Sequence, residues 1–188
     1  MNDKQCMNVI DEIFVEIFGQ KSPVDINGIL EECAFDIKLP NKVLDAITGD
    51  ETWASSVNSN KYISQTNMEK YDTYKGWMIP KKEIKSLDDI FTWWDKVNYT
   101  TTERIYDSTN ISKSDTIYNC ENIYRSQDCR KCRNAVFSDG CGDSDYIIAC
   151  QRSGNCNYSM RIADSANCSN SYNVICSAKI SNSFFIQD

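Results

Sequence analysis

The chain has 188 residues, 41 % apolar and 25 % charged, with a formal net charge of −7, which specifies one ordinary folded domain or two small ones and argues against a broad nucleic-acid-binding face. It has no histidine, so Ser-His and Cys-His nucleophile pairs, histidine general bases and the commonest metal ligand are all missing, and the balance is against an enzyme. No stretch reaches the roughly 20 apolar residues of a membrane helix, and "MNDKQCMNVIDEIF" has acids inside its apolar run, unlike a secretory signal. The expected location is therefore the cytoplasm or an assembled particle, not secretion, with the ten cysteines mostly reduced.

Residues 1–100 carry 11 Lys, no Arg and 17 Asp or Glu, a balance of −6, and read as a mainly α-helical N-terminal domain. Val9, Ile10, Ile13, Phe14, Ile17 and Phe18 recur at helical spacing, and Gly19 is a stop. A second helix is predicted from Ser22 as N-cap and Pro23 to about Ala34. "FDIKLP" alternates as a short strand or extended link, and "NKVLDAITG" predicts a third short helix ended by Gly49. From Asp50 to Tyr74 the pattern breaks into a long loop. "KSLDDIFTWWDKV" predicts a helix capped by Ser86, with Asp88 and Asp89 at its positive end. Its face of Ile90, Trp93, Trp94 and Val97 is expected to pack on the first three helices; a docking face for a partner is the alternative. No Walker loop, dinucleotide-binding glycine run or EF-hand is present. A helix–turn–helix over 23–48 would lack a basic recognition helix.

From Ile105 to Ile186 every third residue is Ile, Val, Ala, Cys or Ser, 28 positions without a charged, amide or aromatic side chain. A strand has period two, and an α-helix would twist a period-three stripe away, so neither fits. A solenoid of very short strands and corners does, with inward side chains stacked coil on coil. Large and small residues alternate along this grid with period six. The two classes swap near Tyr146–Cys150, a half-hexad slip that predicts an irregular coil. Asn or Asp precedes many of the larger members, as at Asn110, Asn122 and Asp128, where left-handed corner dihedrals suit them. Twelve and 18 residues per coil fit equally well. The fold class is α+β: a small helical region docked beside or capping a β-solenoid over 103–188.

In its in-out-out spacing of Ser, Cys and Ala, this half resembles the small β-helix of insect antifreeze proteins. Its hexad is similar in length to that of left-handed β-helix acyltransferases. Both resemblances cover residues 105–188 and imply architecture alone, because the Thr-x-Thr ice-binding array and the catalytic histidine of those families are missing here.

Seven of the eight cysteines in this half lie on the grid; only Cys176 is off it. That favours a buried ladder of small hydrophobes with no cofactor. Cys129, Cys132, Cys141 and Cys150 keep a zinc site open as the alternative. Outward-facing Arg125, Arg130, Lys131, Arg133, Arg152 and Arg161, with Tyr124 and Tyr146, are candidates for nucleic-acid binding, against a plain solvated face. Asp139, Asp143 and Asp145 around Gly140–Gly142 could bind Mg²⁺ in an enzymatic reading. The grid runs on through Phe184, Phe185 and Ile186, so the C-terminal coil is expected to be open or truncated and to invite self-association. A structural or protein-interaction module is the favoured class; a nucleic-acid-associated protein is the runner-up.

Overall fold

The computed structural model describes residues 1–57, 61–70, 81 and 83–187. Helix α1 spans Asp3–Phe18 behind an Asn2–Gln5 capping box and ends at left-handed Gly19. Helix α2 spans Ile26–Cys33. Its N-cap is Asp25, whose carboxylate accepts the Gly28 amide, so the helix starts three residues later than Ser22 and Pro23 suggest. Residues 35–40 form turns and irregular chain, not a strand. The expected helix at 41–49 is instead strand β1 (Asn41–Leu44), a turn, and strand β2 (Glu51–Ala54), paired antiparallel. The Asp45 carboxylate decides this, because it accepts the Ile47 and Thr48 amides and fixes a turn where a helix would have continued. The expected loop from Asp50 also holds strand β3 (Lys61–Ser64) and helix α3 (Gln65–Lys70); its part over 58–60 and 71–74 lies outside the described residues. Helix α4 (Leu87–Val97) has the expected Ser86 cap. Strand β4 (Tyr99–Thr102) then pairs parallel with β3 and leads into the solenoid.

The expected packing of α4 fails. None of its residues is buried, and Leu87, Phe91 and Trp94 are 71 %, 66 % and 61 % exposed. The place it was expected to fill is taken, because α1 and α2 spend their apolar faces on the solenoid flank.

Beyond β4 the backbone obeys one rule. From residue 107 to 185 every third residue has a left-handed φ, and 26 of these 27 are not glycine. Asn or Asp occupies 13 of them, as suits residues that tolerate this region. Each left-handed residue turns the chain just before an inward side chain. The short strands that result are β5 (Ile105–Tyr106), β6 (Thr109–Ser112), β7 (Asp115–Tyr118), β8 (Glu121–Tyr124), β9 (Gln127–Arg130), β10 (Arg133–Val136), β11 (Asp145–Ile148), β12 (Asn157–Ala163), β13 (Ser169–Ile175) and β14 (Phe184–Gln187). Pairing is parallel with a twelve-residue offset throughout, as in Ile111 with Ile123, Ala135 with Ile147, and Val174 with Ile186. The coil length is thus 12, not 18, with four corners per coil, and the sheet β6-β8-β10-β11-β12-β13-β14 marks about seven coils.

The four inward positions stack into four rows. The first runs Ile105, Ile117, Cys129, Cys141, Ser153, Ser165 and Ser177, and the second Ser108, Cys120, Cys132, Ser144, Cys156, Cys168 and Ile180. The third runs Ile111, Ile123, Ala135, Ile147, Ser159, Ser171 and Ser183, and the fourth Ser114, Ser126, Ser138, Cys150, Ile162, Val174 and Ile186. No irregular coil occurs at Tyr146–Cys150: β11 keeps its twelve-residue register with both neighbours. The slip is a change of diagonal. Large residues fill the first and third rows in the early coils and the second and fourth in the later ones, and the layers between, such as Cys129, Cys132, Ala135 and Ser138, hold mostly small side chains.

Serine in these rows does more than fill space. The Ser126 hydroxyl donates to the Tyr124 carbonyl and accepts the Ser138 amide from the next coil, both at 3.0 Å. Ser108, Ser114, Ser138, Ser144 and Ser165 likewise accept the amide twelve residues on. The corner amides point inward, out of reach of the ladders, and a γ-oxygen satisfies them.

The N-terminal region serves this rod twice. On its flank, Tyr124, Val136, Phe137, Ile148, Ala149 and Met160 form an outward apolar stripe against Ile10, Ile13, Phe14 and Ile29. At its first coil, buried Asp115 pairs with Arg104 at 2.8 Å and accepts the Ser55 amide, while the Thr52 and Thr102 hydroxyls lie 2.6 Å apart.

Two substitutions test the corner rule and the γ-oxygen rule. Ser126→Ala strands the buried Ser138 amide, while the Tyr124 carbonyl keeps the Phe137 amide, and should lower unfolding free energy by about 1–3 kcal/mol in urea. Thr116 is the one β-branched residue at a left-handed corner between 107 and 185, and its hydroxyl has no partner among the described residues. Thr116→Asn should therefore raise stability by up to about 1 kcal/mol; an unchanged or lower midpoint would count against corner strain.

Candidate interaction surfaces

The twelve-residue coil sends neighbouring sequence positions to different sides, which decides what each candidate group can do. Arg125, Arg130, Arg133 and Arg152 project from four different sides of the rod. Arg125 lies over the Trp53 ring at 5.5 Å and Arg130 over Tyr118 at 5.3 Å. Arg133 pairs with Asp145 at 3.0 Å, and Arg152 grips both carboxylate oxygens of Asp164. Arg161 pairs with Asp36, and Lys131 lies 3.8 Å from Asp143. Tyr124 is buried under α1, where its hydroxyl donates to Asp3 and takes a hydrogen bond from Lys113. Tyr146 stacks on Tyr158 with centroids 4.5 Å apart, and its hydrogen bond to Glu12 pushes the hydroxyl up to about 12. These groups do not share one face.

The acids behave likewise. Asp139 accepts from Gln127, Asp143 faces Lys131, and Asp145 is held by Arg133 and Asn134. An exposed amide ladder runs Asn110 to Asn122 to Asn134 to Asp145 between coils.

The cysteines lie where the grid puts them. Cys129 and Cys141 stand in the first row, Cys132 in the second and Cys150 in the fourth, and all four are buried free thiols. Among the described residues no group of three His, Cys, Asp or Glu is arranged to hold a metal. Each thiol takes over a serine's bonding: Cys132 donates to the Arg130 carbonyl, and its amide donates to the Cys120 sulfur at 3.3 Å. A purely hydrophobic view of these thiols therefore missed their role at the corner amides. Serine at the equivalent slots was the signal that could have revealed it.

Burial pushes the Cys6 and Cys141 thiols up, Cys6 to about 12. Cys132 is lowered by its bond with Cys120, but its bond with Cys129 and burial together hold it at about 12. Cys156 and Cys168 share a hydrogen bond that lowers the first thiol and raises the second, yet both are at most 1 % exposed. Cys176 sits at an exposed left-handed corner.

Two apolar surfaces are open at different parts of the chain's sequence. One is the α4 face. The other joins α1 to the last coil: Phe18 lies 5.5 Å from Tyr172 and 6.0 Å from Phe184, and Tyr172 lies 5.3 Å from Phe185. No helix among the described residues is long and apolar enough to cross a membrane. Comparison with protein families, curated proteins and solved structures finds no match to this chain.

Thiol chemistry gives two expected results. A colorimetric thiol reagent should find one reactive cysteine in the native protein, lost in Cys176→Ser, and all ten after unfolding. A buried thiol with a raised pKa keeps its proton while the unfolded chain loses it from about pH 9. Stability should therefore be undiminished below pH 9 and fall as pH rises toward 12, by about 1.4 kcal/mol per unit for each such thiol. A flat alkaline limb in denaturant titrations would show that the thiols are not sealed.

Proposed function

We propose that the chain is a non-enzymatic interaction module, a rigid β-solenoid rod that self-associates through the aromatic surface at its last coil. The observation that carries this reading is the charge distribution. Across residues 165–187 Lys179 is the sole charged side chain, against 25 % charged residues in the whole chain. Interface cores are depleted in charge and rich in aromatics, and exposed sheet edges are ordinarily guarded by charged residues. Phe184 and Phe185 are 46 % and 70 % exposed, and inward Ile180 and Ile186 are only partly covered.

A second copy is the partner this surface fits. At the first coil, buried Asp115 is held by Arg104 and the Ser55 amide, and Ile105 and Ile111 are partly buried, as Ile180 and Ile186 are at the last coil. The last coil offers two isoleucines on one diagonal and two serines on the other, a pattern that matches itself under a two-fold axis. The result is a closed pair. Nine buried free thiols suit a reducing compartment, the cytoplasm or an assembled particle.

Sedimentation equilibrium from micromolar to near-millimolar protein tests this. Concentration-dependent dimerisation is expected, and Phe185→Asp should abolish it while Phe91→Asp leaves it unchanged. A purely monomeric wild type, or a Phe185→Asp variant that still dimerises, would remove the proposal.

A further inference from the structure

Between the end of α2 and the rod lies a groove of about 500 Å³, lined by Leu30, Phe35, Ile37, Leu39 and Pro40, with Arg125 the one cationic lining residue among the described residues. Its size falls within the range of small-molecule sites. Arg125 is held there by its own backbone, at a left-handed corner whose amide donates to the Ser112 carbonyl. Its guanidinium rests on the Trp53 face, and its Nε is buried without a hydrogen-bond partner. Among the described residues it makes no ion pair, whereas Arg133, Arg152 and Arg161 each pair with an acid. A half-buried cation beside an apolar wall is left short of an anion.

We propose that this groove binds a small carboxylic acid with an apolar body. The carboxylate would sit on the Arg125 guanidinium, whose fork matches its two oxygens. The hydrocarbon would lie along Ile37, Leu39 and Phe35. Glu31 also lines the groove and works against the anion from its exposed rim, where water screens it. No bond forms or breaks, and the site is separate from the self-association surface at the last coil.

Octanoate and octan-1-ol, equal in tail and different in charge, are the probes. Titrated into the isotope-labelled full chain, octanoate should give saturable amide shifts confined to residues 30–41 and to Arg125 and its neighbours. Octan-1-ol should bind about tenfold more weakly or worse, since a hydrogen-bonded charge is lost. Arg125→Gln should bring the two probes to equal affinity, and Arg125→Lys should retain part of the preference. Unchanged spectra elsewhere in both variants would show that the fold is intact. The proposal is overturned by no saturable shift with octanoate, by equal binding of the two probes to the wild type, or by an undiminished preference in Arg125→Gln. Tighter binding of acetyl-Leu-Leu with a free carboxyl than of octanoate would overturn it in favour of a polypeptide C-terminus.

Discussion

A left-handed residue before each inward side chain from Ser108 to Ile186 is the constraint on which the rest of the molecule depends. It folds twelve residues into four short sides, and it does so with ordinary amino acids at a strain of order 1 kcal/mol or more per corner. Two things offset that strain. Parallel ladders join each coil to the next, as in the unbroken register from Thr109–Glu121 to Val174–Ile186. Inside the corners, hydroxyls and thiols take up the amides that the ladders cannot reach. No layer of the coil holds four large residues, and in the early and late coils the small members, Ser or Cys, supply the missing acceptor. Packing and hydrogen bonding are therefore solved by the same side chain.

This geometry also explains the division of labour in the first hundred residues. A rod built this way has one apolar flank, from Tyr124 to Met160, and an initial coil with nothing beneath it. Helices α1 and α2 cover the flank; the β1–β4 unit covers the coil, with Asp115 buried against Arg104. Asp45 holds that unit in shape: burial would raise its pKa, but hydrogen bonds from Ser64, Asn67, Ile47 and Thr48 bring it to about 2. Neither task needs α4, and none of its residues is buried.

The solenoid was legible in the sequence because its rule is local and repeated. Inward Ile, Ser and Cys recur every three residues, and Asn110, Asn122 and Asn134 mark the turns that precede them. Coil length was not legible: multiples of six share one pattern, and only the pairing of Ile111 with Ile123 selects twelve. The supposed slip at Tyr146–Cys150 misled because one diagonal replacing another looks, in one dimension, like a shift of register. In the N-terminal region the errors came from single side chains overriding propensity. The Asp45 carboxylate made a turn of a helical pattern, and Asp25 displaced Ser22 as a cap. Trp93 and Trp94 read as core by chemistry, but the core they were to join was already complete. The site candidates fared differently. Arg125, Arg130, Arg133 and Arg152 are near in sequence, but a four-sided coil scatters neighbours, so proximity along the chain carried no information about a shared face. The groove beside Arg125 rests on chain folded back from α2, a contact with no periodic trace.

The four-sided coil also sets how such a gene can change. Removing one codon from the repeat would slide every later inward residue to the outside. Removing three would keep inside and outside intact but turn the remainder of the rod by one side, carrying the stripe from Val136 to Met160 away from α1. Only steps of twelve leave both the interior and the docked helix in place. A lineage of such proteins should therefore differ in length by whole coils, with rods of different reach under an unchanged head.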